Sequence, residues 1–290
     1  MHSLFRYQKV TDQIIRINGL AGLTNEFFYL VIGEKKAALI DTGFGLGDLA
    51  SFVRTFTDLP VIVLCTHGHL DHVGGNGQFE EVYICPEDRI MAQVSYSPAA
   101  MNAMAQAVLK ENGLWMDPAE GFAPPAFEGE LKPIYDGDLF DLGGITLEAI
   151  TMPGHSAGCV SFLWKEGRIL FSGDNCGPQP LIMLKNPDGT YSSCTLEVYA
   201  ASLRKLLERE NEFDRILNCH KKGELPFSCV HGVLEAAEGV LSGKYPGIPT
   251  AIHKGKVTGV FSAKGLDPEN IMGDPNGFSG DIIFAKDNIR

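Results

Sequence analysis

The chain has 290 residues, of which 44% are hydrophobic and 21% charged, and its formal net charge is −12 with a pI near 5.1. These values are ordinary for a globular protein with a substantial core. The acidic balance disfavours a broad nucleic-acid surface, which needs a basic face. No stretch approaches the roughly 20 apolar residues that cross a bilayer. We therefore expect neither a nucleic-acid nor a membrane partner.

The N-terminus and the cysteines bear on the cellular compartment. Residues 1–9 contain no apolar run of the kind found in secretory signals. The 7 Cys are odd in number and scattered along the chain, which is typical of free thiols rather than of a disulfide framework. We therefore expect a cytoplasmic protein.

The first third of the chain alternates short apolar runs with glycine-containing turns. The four-residue turn at 33–36 is too short for a crossover, so the strands on either side of it must be antiparallel. The spacing of Leu49, Phe52, Val53 and Phe56 predicts a helix. The predicted elements are strands at 10–20, 27–32, 37–40, 61–65 and 82–85, and a helix at 48–57.

Residues 86–130 interrupt this succession of strands. Pro86 followed by two acidic residues is typical of a helix start. Residues 98–112 are rich in Ala and Met and are predicted to be helical, whereas 113–130 are rich in Pro, Gly and aromatic residues. The segment is either a packed connection or a helical insertion that covers a site, as apolar lids do.

Regular elements resume after residue 138. Two amphipathic helices are predicted, at 196–210 and 228–242, among further short strands. Residues 250–290 alternate in hydrophobicity and are predicted to form an extended tail of edge strands and loops. Strands interleaved with helices indicate an α/β layered architecture in a single domain spanning 1–290. The remaining predicted strands lie at 139–140, 145–150, 159–164, 168–171 and 215–217.

A cluster of polar residues directly follows the predicted strand at 61–65. His67, His69, Asp71 and His72 fall within six positions, although the chain has only 8 His. A single histidine is most often a surface or hydrogen-bonded core residue, but chance does not account for three so close together. Imidazole and carboxylate are the ligands that Zn²⁺ and similar divalent ions prefer. The cluster therefore predicts a metal site at a strand end.

Three later residues occupy equivalent places. His155, Asp174 and His220 each follow a predicted strand within a few residues. Taken singly, His155 and His220 could equally be structural, and Asp174 is more typical of a turn. Together with the first cluster they make seven potential ligands. That is more than one tetrahedral site uses and enough for two metals with open positions.

These motifs resemble the metallo-β-lactamase superfamily. The resemblance covers roughly residues 10–235 and is carried by the H-x-H-x-D-H pattern at 67–72, Pro-Gly-His155, Ser-Gly-Asp174, His220 and the strand end Asp41-Thr42-Gly43. It implies an α/β fold of the four-layer αββα sandwich type, with the site at one edge of the sheets.

The resemblance also implies a ligand assignment. One metal would be held by His67, His69 and His155. The second would be held by Asp71, His72 and His220, with Asp174 bridging the two. It implies two divalent ions, with Zn first and Fe or Mn as alternatives, and attack by activated water without a protein nucleophile. Asp71 would then be the catalytic residue that takes or gives a proton.

The reaction type stays open among several alternatives. The leading prediction is hydrolysis of an ester, thioester or lactone of a small-molecule substrate. The same site would suit phosphodiesters or sulfate esters, and a mononuclear iron oxidoreductase like the persulfide dioxygenases is a further alternative. A non-catalytic binding module is disfavoured because no ligand is missing. Homo-oligomer formation is left open.

Lys221 and Lys222 follow the last ligand, where the family commonly has Gly. They are either a solvated charge pair or an anion contact for the substrate. The cysteines near the ligands, Cys159, Cys176 and Cys219, are predicted to be packing residues, because the His and Asp set is complete without them. His231 and His253 are predicted not to be ligands.

Overall fold

The structure is a computed structural model. It describes residues 4–19, 26–94, 106–107, 109–110, 127–177, 179–185, 188–220, 223–252, 257–265 and 280–290. The chain divides into two compact units, Met1–Leu147 and Glu148–Arg290. Of the helices in these described ranges, none has the length and apolar character needed to span a membrane.

The first unit is built on a seven-stranded sheet whose strands follow one another in chain order. Antiparallel pairing joins the first four strands, and parallel pairing joins the fourth to the seventh. The strands are β1 (Arg6–Lys9), β2 (Ile14–Asn18), β3 (Phe27–Ile32), β4 (Ala37–Ile40), β5 (Val61–Leu64), β6 (Val82–Ile84) and β7 (Leu131–Pro133), with β8 (Leu139–Asp141) following. The helices of this unit include α1 (Leu49–Arg54), α2 (Leu70–Val73) and α3 (Arg89–Val94).

The parallel part of this sheet positions the polar residues of the first unit. Strand β4 is buried along its whole length, as expected of a strand inside a parallel sheet. Helix α1 covers the sheet with Leu49 and Val53, which pack in the same apolar cluster, and each such burial stabilises the fold by roughly 1.5–3 kcal/mol. Because β4, β5 and β6 are parallel, their carboxyl ends meet at one edge, where ligand sites of open α/β sheets form.

The described residues of the second unit form strands of two sheets. Strand β9 (Thr146–Thr151) starts at the end of the first unit. It is followed by β10 (Val160–Trp164), β11 (Ile169–Gly173), β12 (Leu181–Ile182), α4 (Leu196–Leu207), β13 (Arg215–Asn218), β14 (Glu224–Pro226), α5 (Ser228–Leu241), β15 (Ile248–Ile252), β16 (Val257–Ser262) and β17 (Ile283–Phe284). One sheet runs in the order β14-β13-β11-β10-β9 and the other in the order β12-β17-β16-β15.

Strand direction again brings polar residues to one edge. Strand β10 is antiparallel to both β9 and β11, and β13 is parallel to β11. Strands β9, β11 and β13 therefore run in the same direction. Their carboxyl ends precede His155, Asp174 and His220 respectively. The buried faces of α4 and α5 supply much of the apolar core of this unit.

Most elements predicted from the sequence are present. The helix predicted at 48–57 is the shorter α1, and the strands predicted in both halves occur with small shifts in their ends. The predicted insertion at 86–130 begins with a 3-10 turn at Pro86–Asp88 and α3, but 95–105, 108 and 111–126 lie outside the described residues. In the tail, β15, β16 and β17 join the short strand β12 in a sheet that the sequence did not predict.

Candidate metal centre

In the first unit the candidate ligands lie on the turn that follows β5. His67 is fully buried and His72 is 1% exposed, whereas the Asp71 side chain is 27% exposed. The ring centroid of His67 lies 4.7 Å from that of His69 and 4.0 Å from that of His72. The Nε2 atom of His72 lies 3.6 Å from Oδ2 of Asp71. One chain turn thus brings together four potential ligands.

A buried carboxylate orients two of these histidines. Oδ2 of Asp41 accepts hydrogen bonds from Nδ1 of His72 at 2.8 Å and from the hydroxyl of Thr66 at 2.7 Å. Because that hydroxyl donates to Asp41, it accepts from Nδ1 of His67, 3.1 Å away. Both imidazoles therefore carry their proton on Nδ1 and present Nε2. This is how the ring partners of metal-binding histidines fix the tautomer.

The backbone of Asp41 is itself unusual. Its φ of 61° lies in the left-handed region, which costs a residue with a side chain roughly 1–2 kcal/mol. The conformation aims both carboxylate oxygens at Thr66, whose backbone N–H donates to Oδ1 at 2.7 Å. Strained residues of this kind persist where the surroundings over-determine them, often at functional sites.

Gly68, the residue after His67, is held in place by a residue that follows the parallel strand β6. The backbone N–H of Gly68 donates to Oδ2 of Asp88 at 2.8 Å, and Asp88 is fully buried in the turn that follows β6. A Cβ at position 68 would lie 2.7 Å from the Asp88 carbonyl oxygen. Only glycine allows this approach, so the ligand turn rests directly on the backbone ahead of α3.

In the second unit a carboxylate lies between two imidazoles. Oδ2 of Asp174 is 3.4 Å from Nε2 of His155 and 3.1 Å from Nε2 of His220. His155 is 3% exposed, and the Asp174 and His220 side chains are 12% and 31% exposed. This is the arrangement expected of a carboxylate that shares ions with histidines on both sides.

The loops that carry these three residues are fixed by asparagines and by the main chain. The Nδ1 atom of His155 donates to the carbonyl of Leu181 at 2.9 Å, which leaves Nε2 as its ligand atom. The backbone N–H of His155 donates to Oδ1 of Asn175 at 3.1 Å, and that of His220 donates to Oδ1 of Asn218 at 2.9 Å. The loops that carry His155 and His220 are therefore fixed by hydrogen bonds to the backbone of the ligand residue itself.

Each unit by itself fits the ligand chemistry of a divalent metal. Both offer neutral imidazole Nε2 atoms together with a carboxylate, the donors that suit Zn, Fe and Mn. Three of the five histidines predicted to be ligands, His67, His72 and His155, have Nδ1 placed against an acceptor. Geometry would select among these metals, so the donor types alone do not name one.

The other residues singled out in the sequence differ in outcome. Lys221, Lys222 and His253 lie outside the described residues. Cys176 is fully buried, and burial raises the pKa of its thiol, which suits the packing role predicted for it. His231 is on the surface, with its Nε2 atom 3.4 Å from Oε2 of Glu210.

Sequence reasoning missed the residues that support the ligands. Asp41 was recognised only as a strand end and part of a motif, while the roles of Thr66, Asp88 and the Leu181 carbonyl were not foreseen. The parallel order of β4, β5 and β6 would have given a signal for the two acids, because each follows one of these strands. No signal exists for a backbone carbonyl in a two-residue strand.

Comparison with known proteins decides the family. The sequence profile described as the metallo-beta-lactamase superfamily matches residues 21–213, which is more than half of the chain. The chain belongs to the metallo-beta-lactamase superfamily. The family predicted from the motifs is thereby confirmed.

Several of the similar curated proteins carry thioesterase names. The "Acyl-coenzyme A thioesterase MBLAC2" of Gallus gallus is 28% identical over 212 residues, which are 68% of this chain and 66% of that protein. The "Atrochrysone carboxyl ACP thioesterase dmxR1" of Cryptosporiopsis sp. is 27% identical over 177 residues, 58% of this chain and 45% of that protein. In these matches the chain spans between about half and two thirds of its relatives' length.

A solved member of the superfamily supports the fold. The crystal structure of a metallo-beta-lactamase family protein from Thermus thermophilus matches with a TM-score of 0.57 and 20% identity, covering 81% of each chain. With the mixed sheets and helices described above, this confirms the predicted α/β fold class of the metallo-β-lactamase type.

Proposed function

We propose that this protein is a metal-dependent hydrolase that cleaves thioesters of acyl groups. The observation that carries the proposal is the set of oriented ligands at the sheet edges, three of them with Nδ1 held by an acceptor and Nε2 presented. Relatives named as acyl-coenzyme A and acyl-carrier-protein thioesterases favour a thioester over the ester and lactone alternatives.

The proposed ligands are those that the resemblance implies. His67, His69 and His155 would hold one ion, Asp71, His72 and His220 would hold the second, and Asp174 would bridge them. When bound, a pair of divalent metals lowers the pKa of water towards neutrality and polarises the carbonyl under attack. Zn is the first choice on ligand type, and Fe or Mn would accept the same donors.

Asp41 and Thr66 would act through the histidines that they orient. Their hydrogen bonds prevent the His67 and His72 rings from turning and keep the protons of both rings on Nδ1. Asp71 differs from them because its side chain reaches solvent. Asp71 would therefore be able to exchange a proton with solvent during turnover.

Thioester cleavage places a modest demand on such a proton donor. Water adds to the acyl carbon, a C–O bond forms, the C–S bond breaks, and the products are a carboxylic acid and a thiol. A thiol has a pKa near 8.5 and can leave as the thiolate. An alkoxide, with a conjugate acid as weak as water at about 15.7, needs a proton as it leaves.

The proposal is tested by metal analysis combined with a substrate panel. Protein purified without added metal would be assayed for bound Zn, Fe and Mn, and then for release of thiol from acyl thioesters of coenzyme A. We expect close to two ions per chain and turnover that is abolished in His67→Ala and retained in His231→Ala. Metal-loaded protein that leaves every thioester intact would overturn the substrate class. A single Fe would favour the oxidoreductase alternative.

Asp71 provides a sharper test of the mechanism. We expect Asp71→Asn to lower the rate on an oxygen ester by about 10²–10⁴-fold, the range of general acid–base catalysis, and to lower the rate on the matching thioester much less. Both rates would be measured on protein whose metal content has been checked. Equal losses on the two substrates would show that Asp71 acts only as a ligand, and full turnover on both would remove its proton-transfer role.

A further inference from the structure

The loop that carries His155 is hydrogen-bonded to residues that lie between the start of β12 and the start of α4. Besides the hydrogen bond from His155 Nδ1 to Leu181, the hydroxyl of Ser193 donates to the His155 carbonyl at 2.8 Å. The backbone N–H of Cys194 donates to the carbonyl of Gly154 at 2.8 Å. Residues near 181 and near 194 therefore both form hydrogen bonds with His155 or with Gly154, the residue before it.

The residues near 181 are held by the C-terminal strand. Strand β17 pairs in parallel with β12, with Ile283 opposite Leu181, and the Ile283 N–H donates to the Pro180 carbonyl at 3.0 Å. Just outside this pairing, Nε2 of Gln179 donates to Oδ2 of Asp281 at 3.1 Å. A strand as short as β12 has no independent stability, so its position depends on the strand beside it.

The residues near 194 are held by the residues that follow β17. Nδ2 of Asn288, a side chain 6% exposed, donates to the Cys194 carbonyl at 2.9 Å. The N–H groups of Leu196 and Glu197 donate to the carbonyls of Asn288 and Ile289 at 3.1 and 3.0 Å. These two N–H groups belong to the first turn of α4, which has no acceptors within its own helix.

We propose that residues 281–289 are a positioning element for the metal ligand His155. They fix residues 179–185 and 188–197, which in turn fix the tautomer of the His155 ring through Leu181 and the backbone of its loop through Ser193 and Cys194. The inference rests on the proposed function, because it assigns His155 to a metal. It reaches beyond the family match, which ends at residue 213.

A purely structural tail would behave differently. Loss of ordinary packing lowers the stability of the whole unit and affects every ligand of that unit alike. A positioning element instead acts on the ion that contains His155 in its ligand set and spares the ion held by Asp71, His72 and His220. Loss of a hydrogen-bond partner behind a metal-binding histidine typically weakens metal affinity about 10–100-fold.

The test uses one variant for residues 179–185 and one for residues 188–197. Asn288→Ala removes the contact to Cys194, and Gln179→Ala removes the contact to Asp281. The matched control is Lys286→Ala, in the same C-terminal stretch. Lys286 is exposed, and its Nζ atom lies 4.2 Å from the centre of the Phe261 ring. Its side chain takes no part in the hydrogen bonds to residues 179–185 and 188–197. Thermal melting of the metal-free proteins would establish that all three are folded.

Two measurements distinguish the outcomes. The first is the stepwise affinity for Zn²⁺ by chelator competition, with each step assigned by comparison with His155→Gln and His72→Gln. The second is the tautomer of His155 in metal-free protein above pH 8, read from the imidazole ¹⁵N shifts and assigned with His155→Gln. We expect the step that depends on His155 to weaken about tenfold or more, the other step to stay within about twofold, and the Nδ1–H tautomer to lose population.

Unchanged affinities and an unchanged tautomer in both folded variants would overturn the proposal. Equal weakening of both steps together with a lower melting temperature would also overturn it, in favour of a structural tail. If the wild type binds no divalent metal, the proposed function fails, and the tautomer measurement still decides whether residues 281–289 orient His155.

Discussion

At the scale of single residues, the carboxylate of Asp41 determines how two candidate ligands face the site. It contacts His72 directly and reaches His67 through the hydroxyl of Thr66. Its side chain is 1% exposed, so a buried charge is compensated by three hydrogen bonds to its two oxygens. Breaking such a network leaves buried donors without an acceptor, which costs about 1–3 kcal/mol for each group.

We expect Asp41→Asn to weaken metal binding by about 10–100-fold while the protein stays folded. The amide keeps the shape of the carboxylate but places an NH₂ group against the donors of Thr66 or His72. The measurement is chelator competition for Zn²⁺.

Asp48→Ala is the matched control. It removes the N-cap of α1, in which Oδ1 of Asp48 accepts a hydrogen bond from the Ser51 N–H at 2.9 Å. Loss of such a cap lowers the free energy of unfolding by about 1 kcal/mol, and Zn²⁺ affinity should not change. Equal metal affinity in Asp41→Asn and wild type would contradict the orienting role.

At the scale of elements, the turn carrying Asp71 and His72 is docked backbone to backbone on the loop after β4. The N–H of Gly74 donates to the Gly43 carbonyl at 2.9 Å. A Cβ at Gly45, where φ is +72°, would lie 2.1 Å from the Gly74 carbonyl oxygen. Glycine is required there both for the positive φ and for the close approach.

We expect Gly45→Ala to destabilise the protein well beyond the cost of its backbone conformation. Gly137 is a matched control, because it has a similar φ of +83° but open space around the position of its missing Cβ. Gly137→Ala should cost only about 1–2 kcal/mol for the left-handed conformation. Denaturant titration measures the free energy of unfolding of the two variants. Equal losses would show that the close approach to Gly74 does not add to the cost of the substitution.

Helix α5 is joined to the residues that follow β16 by an ion pair with a defined pH dependence. Lys264 first, and then Tyr245 and Lys244, lower the pKa of Glu235 from 4.5 to about 2. Nζ of Lys264 lies 2.6 Å from Oε2 of Glu235, and the hydroxyl of Tyr245 donates to Oε1 at 2.5 Å. A depressed folded pKa adds stability above the unfolded value near 4.5, and that stability is lost as the pH falls towards 2.

Glu235→Gln should therefore lower the melting temperature at pH 7 and leave it unchanged near pH 2. The Glu235 side chain is 51% exposed, so solvent screening limits the effect to about 1 kcal/mol or less. Calorimetry between pH 7 and pH 2 makes the test, with Glu208→Gln as a control at an exposed position at the end of α4. A loss that persists at pH 2 would show that the effect is not electrostatic.

At the scale of the whole molecule, what the sequence could predict follows from how local each signal is. Strand ends rich in His and Asp are visible because the strands and the ligands adjoin in sequence. The pairing of Leu181 with Ile283 is not visible, because β12 has only two residues and its partner lies about a hundred residues away. For the same reason the sequence predicts edge strands at 250–290 but not the sheet that β15, β16 and β17 form with β12. Acceptors supplied by the main chain, such as the Leu181 carbonyl, cannot be predicted from residue type, because every residue has a backbone carbonyl.

Metal removal tests the proposed site through the stability of the complete protein. A ligand that binds only the folded state adds RT ln(1 + [L]/Kd), about 2.7 kcal/mol when the free metal is at 100 times Kd. At roughly 2–4 °C per kcal/mol for a large domain, chelation should lower the melting temperature by about 5–10 °C, and added Zn²⁺ should restore it in proportion to log concentration. His69→Ala should lose most of this response. His231→Ala should keep it, because His231 is exposed and lies against Glu210. A wild-type melting temperature that responds to neither chelator nor Zn²⁺ would mean that the imidazoles at the sheet edges are structural.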